Sequence, residues 1–304
     1  MHAHDQAHRA HAHGNYGRAF FIGIVLSLAY VGGEAVAGII SGSLALLADA
    51  GHNLGDVLGL SLSWGAAVLS RRSPSGRFTY GLRSSSILAA LANAIILLVV
   101  TGGIAWEAIW RIAHPGPVAS GVVIAVATVG IVVNGATALL FASGHAHDLN
   151  VKSAFLHMTA DTLVTASVVA VGVAIWITGR KWLDPAASLV ISVVIVIGTW
   201  GLLKGAIGLA LNAVPEGVDI AAVRAHMLGL PGVSELHDLH IWGMSTTETA
   251  LTCHLVMPGG HPGDAVLNGI AEQLHHRFGI EHATIQIEVA DGDQVCALTP
   301  EHIV

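Results

Sequence analysis

From about residue 19 to residue 209 the chain alternates long apolar stretches with short polar connections. Each stretch is close to the ~20 residues a helix needs to cross a ~30 Å hydrocarbon core. The pattern predicts six spans, near Ala19–Ile40, Gly42–Leu69, Ser84–Trp106, Gly121–Ala142, Leu149–Thr178 and Asp184–Leu209. Their glycines and other small residues, Gly23, Gly32, Gly33, Gly38, Gly55 and Gly59 among them, would weaken a soluble helix but permit close helix contact in a bilayer. After about Asn212 the pattern changes. Val218–Leu228 has helical spacing, Val233–Met244 and Thr247–Met257 alternate like strands, Ala265–Phe278 is helical again and Ala283–Val289 alternates. The order predicts a small α+β domain of αββαβ type. The domain plan is therefore a His-rich tail over 1–15, a six-helix transmembrane domain over 16–211, an α+β domain over 212–290 and a polar tail over 291–304.

Composition supports a membrane protein. Of 304 residues, 53% are apolar and only 11% charged, against about a quarter charged in ordinary soluble domains. A formal charge of -7 without a basic run argues against a nucleic-acid partner. Cys253 and Cys296 form no CxxC pair, which argues against a disulfide framework, a thiolate zinc finger or an iron–sulfur cluster. Lysine and arginine favour the cytoplasmic side. With six spans, Arg9, Arg18, Arg71, Arg72, Arg77, Arg83, Lys152 and Lys204 share the face of the termini, while Arg111, Arg180 and Lys181 lie opposite. Both termini and the α+β domain are thus expected on the cytoplasmic side of the membrane. Trp106, Trp110, Trp176 and Trp182 fall near the outward ends, where interfacial aromatics belong.

Ionisable groups inside the spans are scarce and costly at mid-membrane, so their placement is informative. They are Glu34, Asp49, His52, Asp56, His157 and Asp161. His52 with Asp56 in the second span, and His157 with Asp161 in the fifth, share an i,i+4 spacing that places each pair on one helix face. Each pair lies roughly 15 Å from an opposite surface, which is the midplane from either side. Together they offer two imidazole nitrogens and two carboxylates, a four-coordinate set suited to Zn²⁺, and the two aspartates offset the ion's double charge. Read singly, either pair is equally an intrahelical hydrogen bond; two identical pairs at matching depth favour a metal site. Asp49, on the same face as His52, is a candidate to relay protons or admit metal, with a helix-start carboxylate the structural alternative. Glu34 sits nearer the outer surface and reads as structural.

The segments SLALLADAGHNLGDVLGL, RFTYGLRSSSILAALANA, LNVKSAFLHMTADTL, GVSELHDLHIW and HATIQIE together resemble the cation diffusion facilitator family, in its zinc-exporting branch. The resemblance covers about residues 16 to 290. It implies a homodimeric metal/proton antiporter, not an enzyme, with six helices and a cytoplasmic metallochaperone-like domain. It places the transport site at His52, Asp56, His157 and Asp161. Some members carry Asp at the position of His52; the two-His set resembles the more zinc-selective subgroup. Some bacterial members also bind metal in the loop between the second and third spans, but Arg71–Arg83 holds neither His nor Asp, so no metal is expected there. In the α+β domain the resemblance implies a regulatory or structural zinc site at the dimer interface, built from His237, His254, His282 and Glu288, with His240 and Gln286 as alternatives. Scattered surface histidines are the rival reading. His2, His4, His8, His11 and His13, with His145 and His147, are expected to gather zinc at the cytoplasmic mouth. Zn²⁺, protons, lipid and a second copy of the chain are the implied partners. The alternatives are a transporter of Cd²⁺ or Co²⁺ with the same site, or a zinc-gated channel or sensor. An intramembrane metalloprotease is disfavoured because HExxH is absent.

Overall fold

The computed structural model describes residues 28–70, 72–142 and 149–289; at 59–60, 63–64, 66–67, 70, 136–142 and 149–158 it describes the backbone alone. Six apolar helices come first: α1 (Leu28–Ser41), α2 (Leu44–Ser70), α3 (Ser85–Ala113), α4 (Ser120–Ala142), α5 (Leu149–Thr178) and α6 (Leu183–Ala210). A small domain follows: α7 (Ile220–Leu228), β1 (Glu235–Gly243), β2 (Thr249–Val256), α8 (Asp264–Phe278) and β3 (His282–Glu288). Among the described residues, three helical stretches are long and apolar enough to cross a membrane: Ser85–Ala113, Thr159–Thr178 and Leu183–Ala210. Leu28–Ser41 and Ser120–Gly135 are shorter apolar helices. Large side chains such as Val99, Trp106, Ile109, Val190, Ile197 and Trp200 face outward, the arrangement of helices solvated by lipid, where every backbone group must be satisfied within its own helix.

The described residues fall into two compact units, 28–61 with 92–201, and 62–91 with 202–289. The first is a helical bundle whose core joins Ala45, Leu46 and Ala48 of α2 with Val123 and Ala127 of α4, Val168 of α5, and Ile191 and Ile195 of α6. Small residues set its close approaches. A Cβ on Gly38 would stand 2.8 Å from Leu47 Cγ, and one on Gly55 2.9 Å from Leu97 Cδ1. Gly32 and Gly33, in contrast, meet nothing within 4 Å. The α1–α2 turn is a staple. Gly42 has φ +69°, and a Cβ there would meet the Pro117 carbonyl at 2.5 Å, so only glycine fits. Arg111 donates to the Gly42 carbonyl at 2.8 Å. Asp184, at the start of α6, accepts from the Ser43 hydroxyl and from Leu44 N at 2.6 Å. That satisfies free amides at the N-terminus of α2 and thereby fixes the height of everything further along the helix.

In the second unit β1 pairs antiparallel with β2, and β2 parallel with β3. Val223 and Met227 of α7 and Ile270 and Leu274 of α8 pack on Leu236, Leu251, Cys253 and Leu255, so one face of the sheet is covered by helices. Asp219 caps α7 by accepting from Ala221 N and Ala222 N, and Gly279 in the left-handed region closes α8. The residues leading into α3 belong to this unit as well. Arg83 donates to Glu248 at 2.6 Å, Ser84 to the Met244 carbonyl at 3.2 Å, and Thr246 N to the Ser86 hydroxyl oxygen at 3.0 Å.

Candidate metal centres

Helix α2 presents His52 and Asp56 one turn apart, and α5 brings Asp161 to them. His52 Nε2 lies 3.0 Å from Asp161 Oδ1 and 3.8 Å from Asp56 Oδ2. One ligand atom from each of the three residues falls within 4.8 Å of the other two. Asp161 is buried, and His52 and Asp56 are partly accessible, so an ion could reach the cluster without a rearrangement of the carboxylates. His157 is on α5, one turn before Asp161, but its side chain lies outside the described residues. His145, His147 and the tail histidines lie outside them altogether. The donor chemistry fits a divalent cation: two carboxylates supply charge, and the imidazole supplies a nitrogen that borderline ions such as Zn²⁺ accept.

Beside this cluster Glu34 and Asp49 are both fully buried. Glu34 Oε1 accepts from the Tyr30 hydroxyl and Oε2 from Asn53 Nδ2, each at 3.0 Å. Glu34 is therefore an internal group of the bundle rather than one reaching for the surface.

The second centre is in the α+β domain. His254 Nδ1 lies 2.9 Å from Glu288 Oε1, and His237 Nε2 lies 3.3 Å from Glu288 Oε2. The two imidazoles stand edge to face with centroids 5.2 Å apart. Register explains the convergence: His237 pairs with His254 across β1 and β2, and Glu288 is opposite Val256 two positions along, on the face away from the helices. His237 is buried, yet neither ring nitrogen has a well-aligned hydrogen-bond partner. Such buried imidazole nitrogens are costly unless something ligates them.

His282 stands at the other end of β3, opposite Ala250, about 20 Å along the strand from Glu288. Its ring meets Tyr80 edge-on at 5.7 Å. Gln286, in register with His254, donates to Glu288 Oε1 at 3.2 Å and so holds that carboxylate rather than standing as a ligand. The sequence reading passed over Asp238. The strand register shifts between His237 and His240, and Asp238 takes a positive φ of 51°. This bulge turns its carboxylate toward the histidines, 2.9 Å from His240 Nε2 and 3.5 Å from His254 Nε2. The run HDLH carried the residue in plain view, but strict alternation would aim it at the opposite face from His237. Cys253 points into the helix-covered core. Burial, with the Asp238 carboxylate nearby, pushes its thiol up to about 12, which keeps it out of metal chemistry near neutral pH.

Comparison with known proteins agrees with this two-part plan. Residues 20–209 match the cation efflux transmembrane domain, and residues 215–290 match the cytoplasmic domain of cation efflux proteins. The chain is 35% identical over 297 residues to the cation efflux system protein CzcD of Alcaligenes sp., covering 97% of this chain and 92% of that one. It is 39% identical over 258 residues to the zinc transporter ZitB of Escherichia coli, covering 84% and 82%. It is 31% identical over 283 residues to a cadmium, cobalt and zinc/H(+)-K(+) antiporter of Bacillus subtilis, covering 91% of each.

Proposed function

The chain belongs to the cation diffusion facilitator family, in its zinc and cation efflux branch, and from that premise we propose that it exports Zn²⁺ from the cytoplasm in exchange for protons. It is a transporter and not an enzyme. The observation that carries the reading is the meeting of His52 and Asp56 from α2 with Asp161 from α5, in helices otherwise nearly free of charge. His157, one turn from Asp161, completes a tetrahedral His2Asp2 set near mid-membrane. Two ionised aspartates cancel the ion's charge, so the loaded site is neutral and its passage through a low-dielectric region costs far less than either partner would alone.

Proton coupling follows from the ligands. A histidine must be deprotonated to hold metal, and it titrates near physiological pH. Six helices with both termini in the cytoplasm rock about the fixed site, exposing it to each side in turn. Outside, protons displace the metal; inside, they leave before the next ion binds. The cytoplasmic domain binds a further zinc through His237, His254 and Glu288 in a homodimer of the bacterial inner membrane. The relatives named for cadmium and cobalt as well as zinc favour a second reading in which those ions use the same site, since geometry and donor preference overlap among them.

The test is uphill ⁶⁵Zn accumulation by everted vesicles. Asp161→Ala should abolish it while leaving the protein in the membrane; accumulation at the unaltered rate would sink the proposed site. A zinc-gated channel would dissipate a zinc gradient in the same vesicles but never build one from a pH gradient.

A further inference from the structure

Glu34 and Asp49 are a second charged feature of the bundle, and the metal-ligand set makes no use of them. Both are completely buried. Glu34 accepts from Tyr30 and Asn53, which accounts for one lone pair on each oxygen. Asp49 is different: neither of its oxygens has a hydrogen-bond donor aligned on it, and it faces the Glu34 carboxyl and the Thr165 hydroxyl, the latter committed to the Asp161 carbonyl at 3.0 Å. A bare carboxylate in that position would be uncompensated. Among the described residues no lysine or arginine reaches the pair; the titratable groups around it are Tyr30 from α1, His52 from α2 and Asp161 from α5, and the described part of α4 presents only Gly130 and other uncharged residues.

Two facing carboxyl groups in an apolar surround cannot both be ionised without a cation between them. A proton shared by the pair meets this requirement with no other group: it gives the buried carboxyls one donor and leaves a single negative charge held by Tyr30 and Asn53. The architecture keeps the place open. A Cβ on Gly130 would stand 1.9 Å from the Tyr30 hydroxyl oxygen, so the glycine of α4 provides the recess in which that hydroxyl reaches Glu34. Asn53, the neighbour of His52 in α2, ties the pair to the helix that holds the metal ligands.

We propose that Glu34 and Asp49 form a proton-carrying carboxyl pair, separate from the metal ligands, that holds a transported proton during the exchange. The pair moves with α1 and α2, takes its proton from the outward side and releases it inward, so part of the proton flux bypasses the imidazoles. No covalent bond changes in this step; one proton enters and the same proton leaves. The proposal rests on the antiport reading, and the test separates the two.

The full chain is reconstituted in liposomes with a trapped pH dye and a trapped zinc dye, so that protons moved per zinc are counted directly. In Glu34→Gln and in Asp49→Asn the expected result is a fall of about one proton per zinc and a loss of ΔpH-driven accumulation of about tenfold or more. Exchange of ⁶⁵Zn for unlabelled zinc at equal pH should be retained, which shows that the site and the fold persist. Glu34→Asp and Asp49→Glu should restore the proton count in part. Variants that keep the unaltered proton-to-zinc ratio overturn the proposal, as does loss of zinc–zinc exchange in both, which would assign the pair to packing alone. A proton deficit made good by potassium or sodium also overturns it, in favour of a monovalent cation between the carboxyls. If the unaltered protein moves zinc without counter-moving protons, it is the antiport reading that fails.

Discussion

Asp238 sits at a left-handed backbone position that, besides glycine, asparagine and aspartate adopt most readily, and there it faces His254 and His240. A group so placed orients an imidazole and raises its basicity for metal. Asp238→Ala in a His52→Ala background, which removes the transmembrane site, should weaken zinc binding at the cytoplasmic cluster by about 10- to 100-fold; calorimetry showing the same affinity would leave Asp238 without that role. Cys253 is two residues from Leu255 and Leu251 on the opposite face of β2 from His254. Its thiol, raised to about 12 by burial, should resist iodoacetamide at pH 8 in the folded chain and react once the domain is unfolded. At this scale the rarity of charge in the spans made the two HxxxD pairs stand out, and the structure brings His52, Asp56 and Asp161 of them together. It could not choose between His282 and Gln286 as neighbours of Glu288, or see Asp238, because a bulge is a property of the paired strand and not of the residue.

Helix contacts extend the same point to whole elements. Regular i,i+4 spacing and matching depth placed the pairs of the second and fifth spans in one expected site, but the distance of 3.0 Å between His52 of α2 and Asp161 of α5 is set by how the two helices pack. Glycine frequency announced close packing without saying where. The structure places Gly38, Gly55 and Gly130 at real approaches and leaves Gly32 and Gly33 open. Gly130→Ala forces the Tyr30 hydroxyl out of its recess, so it should cost about 1–3 kcal/mol, the usual range for overpacking a tight contact. The measurement is thermal unfolding of the detergent-solubilised protein, and Gly32→Ala, with nothing within 4 Å, serves as the neutral comparison. Asp184, read from sequence only as the beginning of a span, turns out to cap α2 from across the bundle. That reach of 140 residues along the chain has no local signature.

Taken whole, the molecule joins an apolar helical part to a small domain with its own helix-covered core, and pH acts on the stability of the small domain through a histidine. In the small domain, burial and the nearby Arg277 guanidinium hold the His226 imidazole below the ordinary histidine range. A folded-state value below the unfolded one means that the unfolded chain binds the extra proton more readily, so stability is complete above the unfolded pKa, about 6.5, and declines as pH falls through it. Protection of the α7 amides, taken as the exchange rate relative to the intrinsic rate at each pH, should therefore fall slightly between about pH 7 and 5.5, and His226→Gln should flatten that dependence. The sequence by itself determined the class of this protein: apolar runs of membrane length, a change of period near Asn212, and a handful of ionisable residues that the cost of burying charge makes meaningful. Those are local properties, fixed by spacing along one chain. Which of these residues meet was decided by tertiary structure, because the approach of α5 to α2, the recess at Gly130 and the bulge at Asp238 each depend on how separate elements pack, and packing is settled by shape and register that no single segment contains.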